Sequence, residues 1–331
     1  MDKQRPAPVV VGVDGSETAL RAVSWASREA RRRGAPLRIV HAAPYADGDA
    51  TCERRAGSIL TVAHTVAGRA APGLPVVTER LSGPIPRSLA DAGAGAQLLV
   101  VGMTGGSRLD DVLLHAAALK VCELAPCPVA VVRCRHGLVP ADGGPVVLGL
   151  EDLVAGALAV TAAFADAQRH ASHLVVLHAG GATRSSHPRY HPGGATFEHA
   201  LLEGLGPWRS RHPSVPVDLK LMSGAAAACL LEASARARLL VLGTRARKTP
   251  GRLVVGSTSR TVLRLSSCAV VVVRRDAVLA DSRIGRGSSI SAPSSPLPCG
   301  RCPIRSTVPA DMPTCTNSAS PPAGEITPSA A

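Results

Sequence analysis

Glycines, hydroxyls and cations recur at a telling spacing late in this chain, and together they are the materials of phosphate recognition. Residues 239–242 form an apolar run that stops at Gly243. Arg245, Arg247, Lys248 and Arg252 follow, and Gly256-Ser257-Thr258-Ser259 opens a helical pattern. A strand, a cationic loop and a Gly-Ser helix start gather backbone amides around an anion, because the first N–H groups of a helix have no internal partner. An earlier stretch, residues 97–119, repeats the plan. It keeps Gly102 and Gly105 but has His115-Ala116 where the later copy has Gly256-Ser257. An acidic residue follows the first apolar run of each half: Asp14 in one, Glu151 in the other.

Other chemistries are weaker in the sequence. Gly251 and Gly256-Ser257 have the glycine spacing of a Walker A loop, with serine where its lysine belongs, so a P-loop NTPase is not indicated. Gly12 and Gly15 do not form GxGxxG. His41 and His178 end apolar runs and read as hydrogen-bonded strand-end residues. Cys127 and Cys268 read as small buried fillers. Cys299, Cys302 and Cys315 supply at most half of a zinc site, with no second pair nearby. The expectation is no catalytic constellation and no metal.

Elements that would position these residues follow from periodicity. An apolar run at 9–13 leads into an amphipathic helix over Glu17–Arg33, capped by Ser16 or Asp14 and stopped by Gly34. Runs at 37–41, 76–81, 98–101 and 129–132 alternate with further helices. Five strands and four helices in alternation predict a doubly wound parallel sheet. The second half repeats the order: Gly12 matches Gly149 and His41 matches His178 at an offset of 137, while Gly102 matches Gly243 and Arg133 matches Arg274 at 141. The prediction is therefore α/β, two tandem five-stranded parallel-sheet domains over 1–138 and 145–275. The Ser/Pro-rich stretch 276–331 has no apolar period and is expected to be a disordered tail.

Composition sets the outer bounds. Only six of 331 residues are aromatic, which predicts aliphatic cores and argues against base-stacking platforms. The net charge of +13 is concentrated in 143–275, with 16 basic residues against 7 acidic; 1–142 has 17 against 13. Such a surface attracts phosphates without selecting among them. Arg31-Arg32-Arg33 is read as the solvated end of a helix. Nine cysteines, no h-region and no apolar run of bilayer length predict a cytoplasmic protein without a disulfide framework.

The residues 9–16 (VVVGVDGS), the LLVVG run before a glycine loop, and the PVxVVR-like ending of each repeat resemble the universal stress protein family in its tandem-domain form. The resemblance covers residues 9–133 and 145–274. It implies strand order 3-2-1-4-5 in each domain and an intrachain pseudo-dimer in which Val129–Val132 meets Val270–Val273. It also implies ATP or another adenine nucleotide as ligand. The implied nucleotide-binding positions are Asp14, Gly102 and Gly105 in the first domain, and Glu151, Gly243, Arg245, Ala246, Gly256 and Ser257 in the second. Neither signature is complete: the first lacks the Gly-Ser pair, and the second has Ala246 in place of the middle glycine. The expected function is a non-enzymatic stress-response module that binds the nucleotide mainly in its second domain. The alternatives are an interaction protein that has lost nucleotide binding and, behind it, a basic nucleic-acid-associated protein. No membrane partner is expected.

Overall fold

A computed structural model describes residues 6–42, 50–104, 109–134, 143–180, 197–244 and 255–279, with the backbone alone for 104, 109–115, 134 and 180. The first half runs β1 (Val9–Gly12), α1 (Glu17–Arg33), β2 (Leu37–Ala42), α2 (Ala50–Ala70), β3 (Val76–Leu81), α3 (Ile85–Ala92), β4 (Leu98–Thr104), α4 (Leu109–Leu124) and β5 (Val129–Cys134). The second runs β6 (Val146–Gly149), α5 (Ala157–Arg169), β7 (Leu174–Gly180), α6 (Phe197–Gly204), α7 (Gly206–Arg211), β8 (Val217–Ser223), α8 (Ala226–Ser234), β9 (Leu239–Gly243), α9 (Ser257–Leu265) and β10 (Ala269–Val273). Between β7 and β8 the described residues include two short helices, which meet at Leu205 and Gly206.

All ten strands join one sheet in the order β3-β2-β1-β4-β5-β10-β9-β6-β7-β8. Each half has the expected order 3-2-1-4-5, and every pairing is parallel except β5 with β10. Central strands of such a sheet are covered on both faces, which is why they read as unbroken Val and Leu runs. Successive residues serve opposite faces. Val9 and Val11 join the core under α1, α2, α5, α6 and α7, whereas Val10 joins the core under α3, α4, α8 and α9.

The antiparallel seam has a local symmetry. Val131 pairs with Val270, Ala130 with Val271, and Val129 with Val272. Ala130 and Val271 are equivalent positions of the repeat, so the two halves meet as an isologous dimer would. The contacts around the seam are reciprocal. Arg133 donates from Nη1 to the Ser266 carbonyl at 3.1 Å, and Arg274 donates to the Glu123 carbonyl. Each arginine thus crosses to the C-terminal end of the helix that precedes the partner strand, where cations are favoured. The chain past β10 adds to this. Arg274 forks onto the Asp276 carboxylate at 2.9 and 2.7 Å, Ala277 is buried, and Val278 N–H donates to the Pro126 carbonyl at 2.8 Å. Packed structure therefore continues to Leu279, beyond the boundary expected at 275. The rest of the predicted tail, 280–331, lies outside the described residues, as do Cys299, Cys302 and Cys315.

Helices α1 and α5 meet on one face of the seam through a buried ionic cluster. Arg33 contacts Glu29 at 2.7 Å and, across the seam, Asp166 at 2.6 Å. Arg169 shares the same Asp166 oxygen at 2.8 Å. His170 Nε2 lies 3.1 Å from Glu29 Oε2. Arg238 Nη1 approaches His170 Nδ1 at 2.9 Å. A guanidinium only donates, so Nδ1 accepts and the proton sits on Nε2, facing Glu29. At the offset of 137, Glu29 is equivalent to Asp166 and Arg33 to His170, so these contacts are again reciprocal. The reading of Arg31-Arg32-Arg33 as a solvated helix end is corrected at Arg33, whose side chain is only 7% exposed. The acids that bury it come from its own helix and from a residue 133 positions away.

Burial pushes the Glu29 carboxyl up, but Arg33 and His170 outweigh it and hold the group well below the usual carboxylate range. A depressed folded value means the stability from Glu29 is full above its unfolded value near 4.5 and is lost as pH falls below it. Urea denaturation should show an acid limb that Glu29→Gln flattens. At neutral pH, Asp166→Ala should cost about 3–5 kcal/mol, because it strands buried guanidinium charge.

Candidate functional site

The strand ends that carry the predicted site residues are built alike in the two halves. Val13 N–H donates to the Val40 carbonyl at 2.9 Å, and Leu150 N–H donates to the Leu177 carbonyl at 3.0 Å. His41 and His178 each hold the carbonyl of that same residue through Nδ1, at 2.7 and 3.0 Å. A carbonyl only accepts, so Nδ1 carries the proton in both. The histidines brace the turn after the first strand, and Asp14 and Glu151 follow that turn on exposed backbone.

In the first domain this turn encloses a cleft. Asp14 Oδ1 accepts from Ser16 N–H at 2.8 Å, and Ser16 Oγ caps α1 by accepting from Ala19 N–H at 3.2 Å. Gly15 supplies φ +88° between them, with Ile59 of α2 packed over it. The cleft measures about 190 Å³ and opens at the carboxyl ends of β1, β2 and β4, where open α/β sheets bind ligands. Its walls include Val13, Ala42, Leu89, Val101 and Ala118, with Asp14 and Ser16 at the polar end. Gly102 lines it too, but a close approach explains that glycine: a Cβ there would lie 3.0 Å from the Thr18 carbonyl oxygen. Gly105 lies outside the described residues.

In the second domain the same positions are filled differently. Val13 and Val101 are replaced by the larger, buried Leu150 and Leu242. Leu242 and Leu230 approach to 2.7 and 2.9 Å of where a Cβ on Gly149 would sit, so that glycine is needed by packing. Ser16 becomes Leu153, which turns onto Gly204 of α6, and α5 begins only at Ala157. Phe197 lies over His178 with ring centroids 4.9 Å apart.

What the second domain keeps is a free helix start. Gly256 is the N-cap of α9 with φ −65°, without a side-chain cap, and nothing among the described residues lies within 4 Å of a Cβ placed on it. Ser257 is exposed, and Thr258 and Ser259 stand where the first domain has Ala117 and Ala118. Gly243 is similarly unforced, since a Cβ would meet Ala159 at an ordinary 3.5 Å. Thr244, next in the chain, is buried, and its hydroxyl oxygen has no hydrogen-bond partner among the described residues. Arg245 and Ala246 lie outside the described residues.

The backbone also locates the difference at His115-Ala116. In sequence these looked like a helix start spoiled by bulk and by a missing hydroxyl. In the structure α4 begins at Leu109, so both residues are helix interior, and their amides belong to intrahelical bonds. The sequence pattern predicts a helix around Asp110–Glu123, and α4 spans Leu109–Leu124. Among the described residues no three His, Cys, Asp or Glu side chains gather as metal ligands, and no helix is long and apolar enough to cross a membrane. Burial pushes the Cys127 and Cys268 thiols up to about 12 and about 11, consistent with fillers rather than reactive thiolates.

Comparison with known proteins gives one consistent result. The sequence profile of the universal stress protein family matches residues 7–133 and 144–274. A universal stress protein of Mycolicibacterium smegmatis is 31% identical over 283 residues, covering 80% of this chain and 96% of that protein. One from Mycobacterium tuberculosis is 31% identical over 285 residues, with the same coverage. The crystal structure of a universal stress protein from Archaeoglobus fulgidus shares the fold at 16% identity, with a TM-score of 0.62 over 81% of this chain and 98% of that one.

The two signature glycines that end β4 and β9 should respond differently to one methyl group. Gly102→Ala should destabilise the chain by about 1–3 kcal/mol, because α1 must shift away from β4. Gly243→Ala should stay within about 0.5 kcal/mol. Equal costs in chemical denaturation would show that packing does not distinguish the two positions.

Proposed function

The chain belongs to the universal stress protein family, as two family domains in one polypeptide, and from that premise we propose a non-enzymatic stress-response module that binds an adenine nucleotide through its second domain. The observation that carries the proposal is the start of α9. Gly256 begins α9 without a side-chain cap among the described residues, and the first amides of a helix have no intrahelical partner, so the dipole there favours an anion. Among the described residues nothing crowds Gly256, which favours approach of a phosphate to the backbone. Glu151, at the strand end of the same domain, has the place of the acid that would meet the nucleoside portion. Thr244 adds a buried hydroxyl. Binding rather than catalysis is favoured because His41 and His178 each have Nδ1 tied to a strand-end carbonyl, which gives them a structural task.

One observation favours the alternative of an interaction protein without nucleotide. Leu150 and Leu242 occupy space that stays open in the first domain. The two readings separate in calorimetry on the full chain. ATP should bind at millimolar or lower concentration, Gly256→Trp should weaken it at least tenfold, and no phosphate should be released above buffer. Absence of any ATP binding by the unaltered chain would leave the interaction reading in place.

A further inference from the structure

We propose that the end of the second domain where its strands begin is a surface for duplex nucleic acid, held by its phosphate backbone without base readout. The pairing register places this surface. Ala269, Leu239, Val146, Leu174 and Val217 open β10, β9, β6, β7 and β8 and lie abreast. At roughly 4.8 Å per strand, the row is about 19 Å across. The preceding helices end there, and the turns that enter the strands begin there. With them come Arg169, Arg209, Arg211, Arg236, Arg238 and Arg264, six of the 16 basic residues in 143–275. Hydrogen bonds join these segments into one strip. Ser267 N–H donates to Ser234 Oγ at 3.1 Å, Arg238 Nε donates to the Gly144 carbonyl at 3.1 Å, and His212 Nδ1 lies 2.6 Å from Gln168 Oε1.

Helix C-termini favour cations by themselves, but the duplicated first half shows how few that requires. At the positions of Arg209, Arg211, Arg236, Arg238 and Arg264 it has Gly68, Ala70, Gly95, Gln97 and Glu123, with Arg69 as the cation in the last turn of α2. Pairing differs as well. In the first half, the exposed arginines Arg21, Arg80 and Arg87 meet the carboxylates of Glu17, Glu53 and Asp91. Arg209, Arg211, Arg236 and Arg264 are exposed too, and they form no ion pair among the described residues. Acids at this end do not balance them. Asp166 is taken by Arg33 and Arg169, and Asp218 and Glu232 remain. Cations gathered on one face repel one another, and a polyanion relieves that repulsion.

The form of the strip selects the partner. Guanidinium groups spread along a row, rather than converging on one point, match a repeating anion, and their planar fork suits phosphate. Trp208 is buried, with Nε1 donating to Thr161 Oγ1 at 2.9 Å, so it is not available to stack on unpaired bases. A lipid surface would find little apolar area to hold beyond exposed Leu265. Gly243 lies at the other end of β9 from this strip, so the proposal does not depend on nucleotide binding by the second domain.

Fluorescence anisotropy of a short labelled DNA duplex on the full chain tests this surface. The dissociation constant should fall at roughly 10⁻⁴–10⁻⁶ M at physiological salt, and contacts from the four exposed arginines should give a log–log salt slope of about −3.6. Combining Arg211→Gln, Arg236→Gln and Arg264→Gln should weaken binding at least tenfold and flatten the slope to about −1. Combining Arg21→Gln, Arg80→Gln and Arg87→Gln removes the same charge from the first half and should change binding by less than about twofold. Circular dichroism checks that both variants are folded. Equal losses from the two triple variants would overturn the proposal, as would no binding of the duplex or tighter binding of its single strand. So would polyglutamate or phosphatidylserine vesicles bound as tightly as the duplex.

Discussion

An unpaired apolar strand edge is the constraint from which the rest of this molecule follows. Strands β5 and β10 are Val-rich, buried on both faces, and would each end a sheet with a row of open amides and carbonyls. Joining them antiparallel removes both edges at once and fuses two five-stranded sheets into one. The edges that remain, β3 and β8, are guarded: Glu79 and Arg80 on one and Asp218 and Lys220 on the other interrupt the apolar pattern. Once the seam exists, Arg133 and Arg274 can cross it, and α1 and α5 are brought close enough to share buried charge.

Sharing a seam leaves the sites at the strand ends free to diverge. The first copy retained an open aliphatic cleft and lost its helix start to an extended α4. The second retained the helix start and filled the cleft floor with Leu150 and Leu242. These changes sit at the carboxyl ends of the strands and leave the register of the β5–β10 pairing symmetric. The residues common to both copies, such as the histidines on Val13 and Leu150, are those that hold the turn itself.

Much of this was legible in residue order because it is local. Parallel strands buried on both faces spell themselves out as Val and Leu runs, and Ser16 and Gly34 mark the ends of α1 by their own chemistry. The pairing of 129–132 with 270–273 came from family resemblance joined to the edge argument. What stayed hidden was long-range. Arg33 sits in a run of three arginines that reads as solvent-facing, and its partner Asp166 lies in the other domain. His115-Ala116 were recognised as a departure, and the helix around Asp110–Glu123 that contains them was legible as well. Gly102 was assigned to phosphate contact, whereas the nearness of Thr18 that demands a glycine there is visible only in three dimensions.

Strand β10 is the last of the described strands, and that order has a consequence during synthesis. Val131 leaves the ribosome 139 residues before Val270, its partner across the seam. At roughly 5–20 residues per second, the first domain must wait about 7–28 s with its Val-rich edge uncovered. A nascent chain in that interval is a half-sheet looking for any strand, including the same strand on a neighbouring ribosome. The duplication that spares the finished protein a separate partner therefore moves the hazard of mispairing into translation, where the rate of elongation and the shielding of the nascent edge decide which strand arrives first.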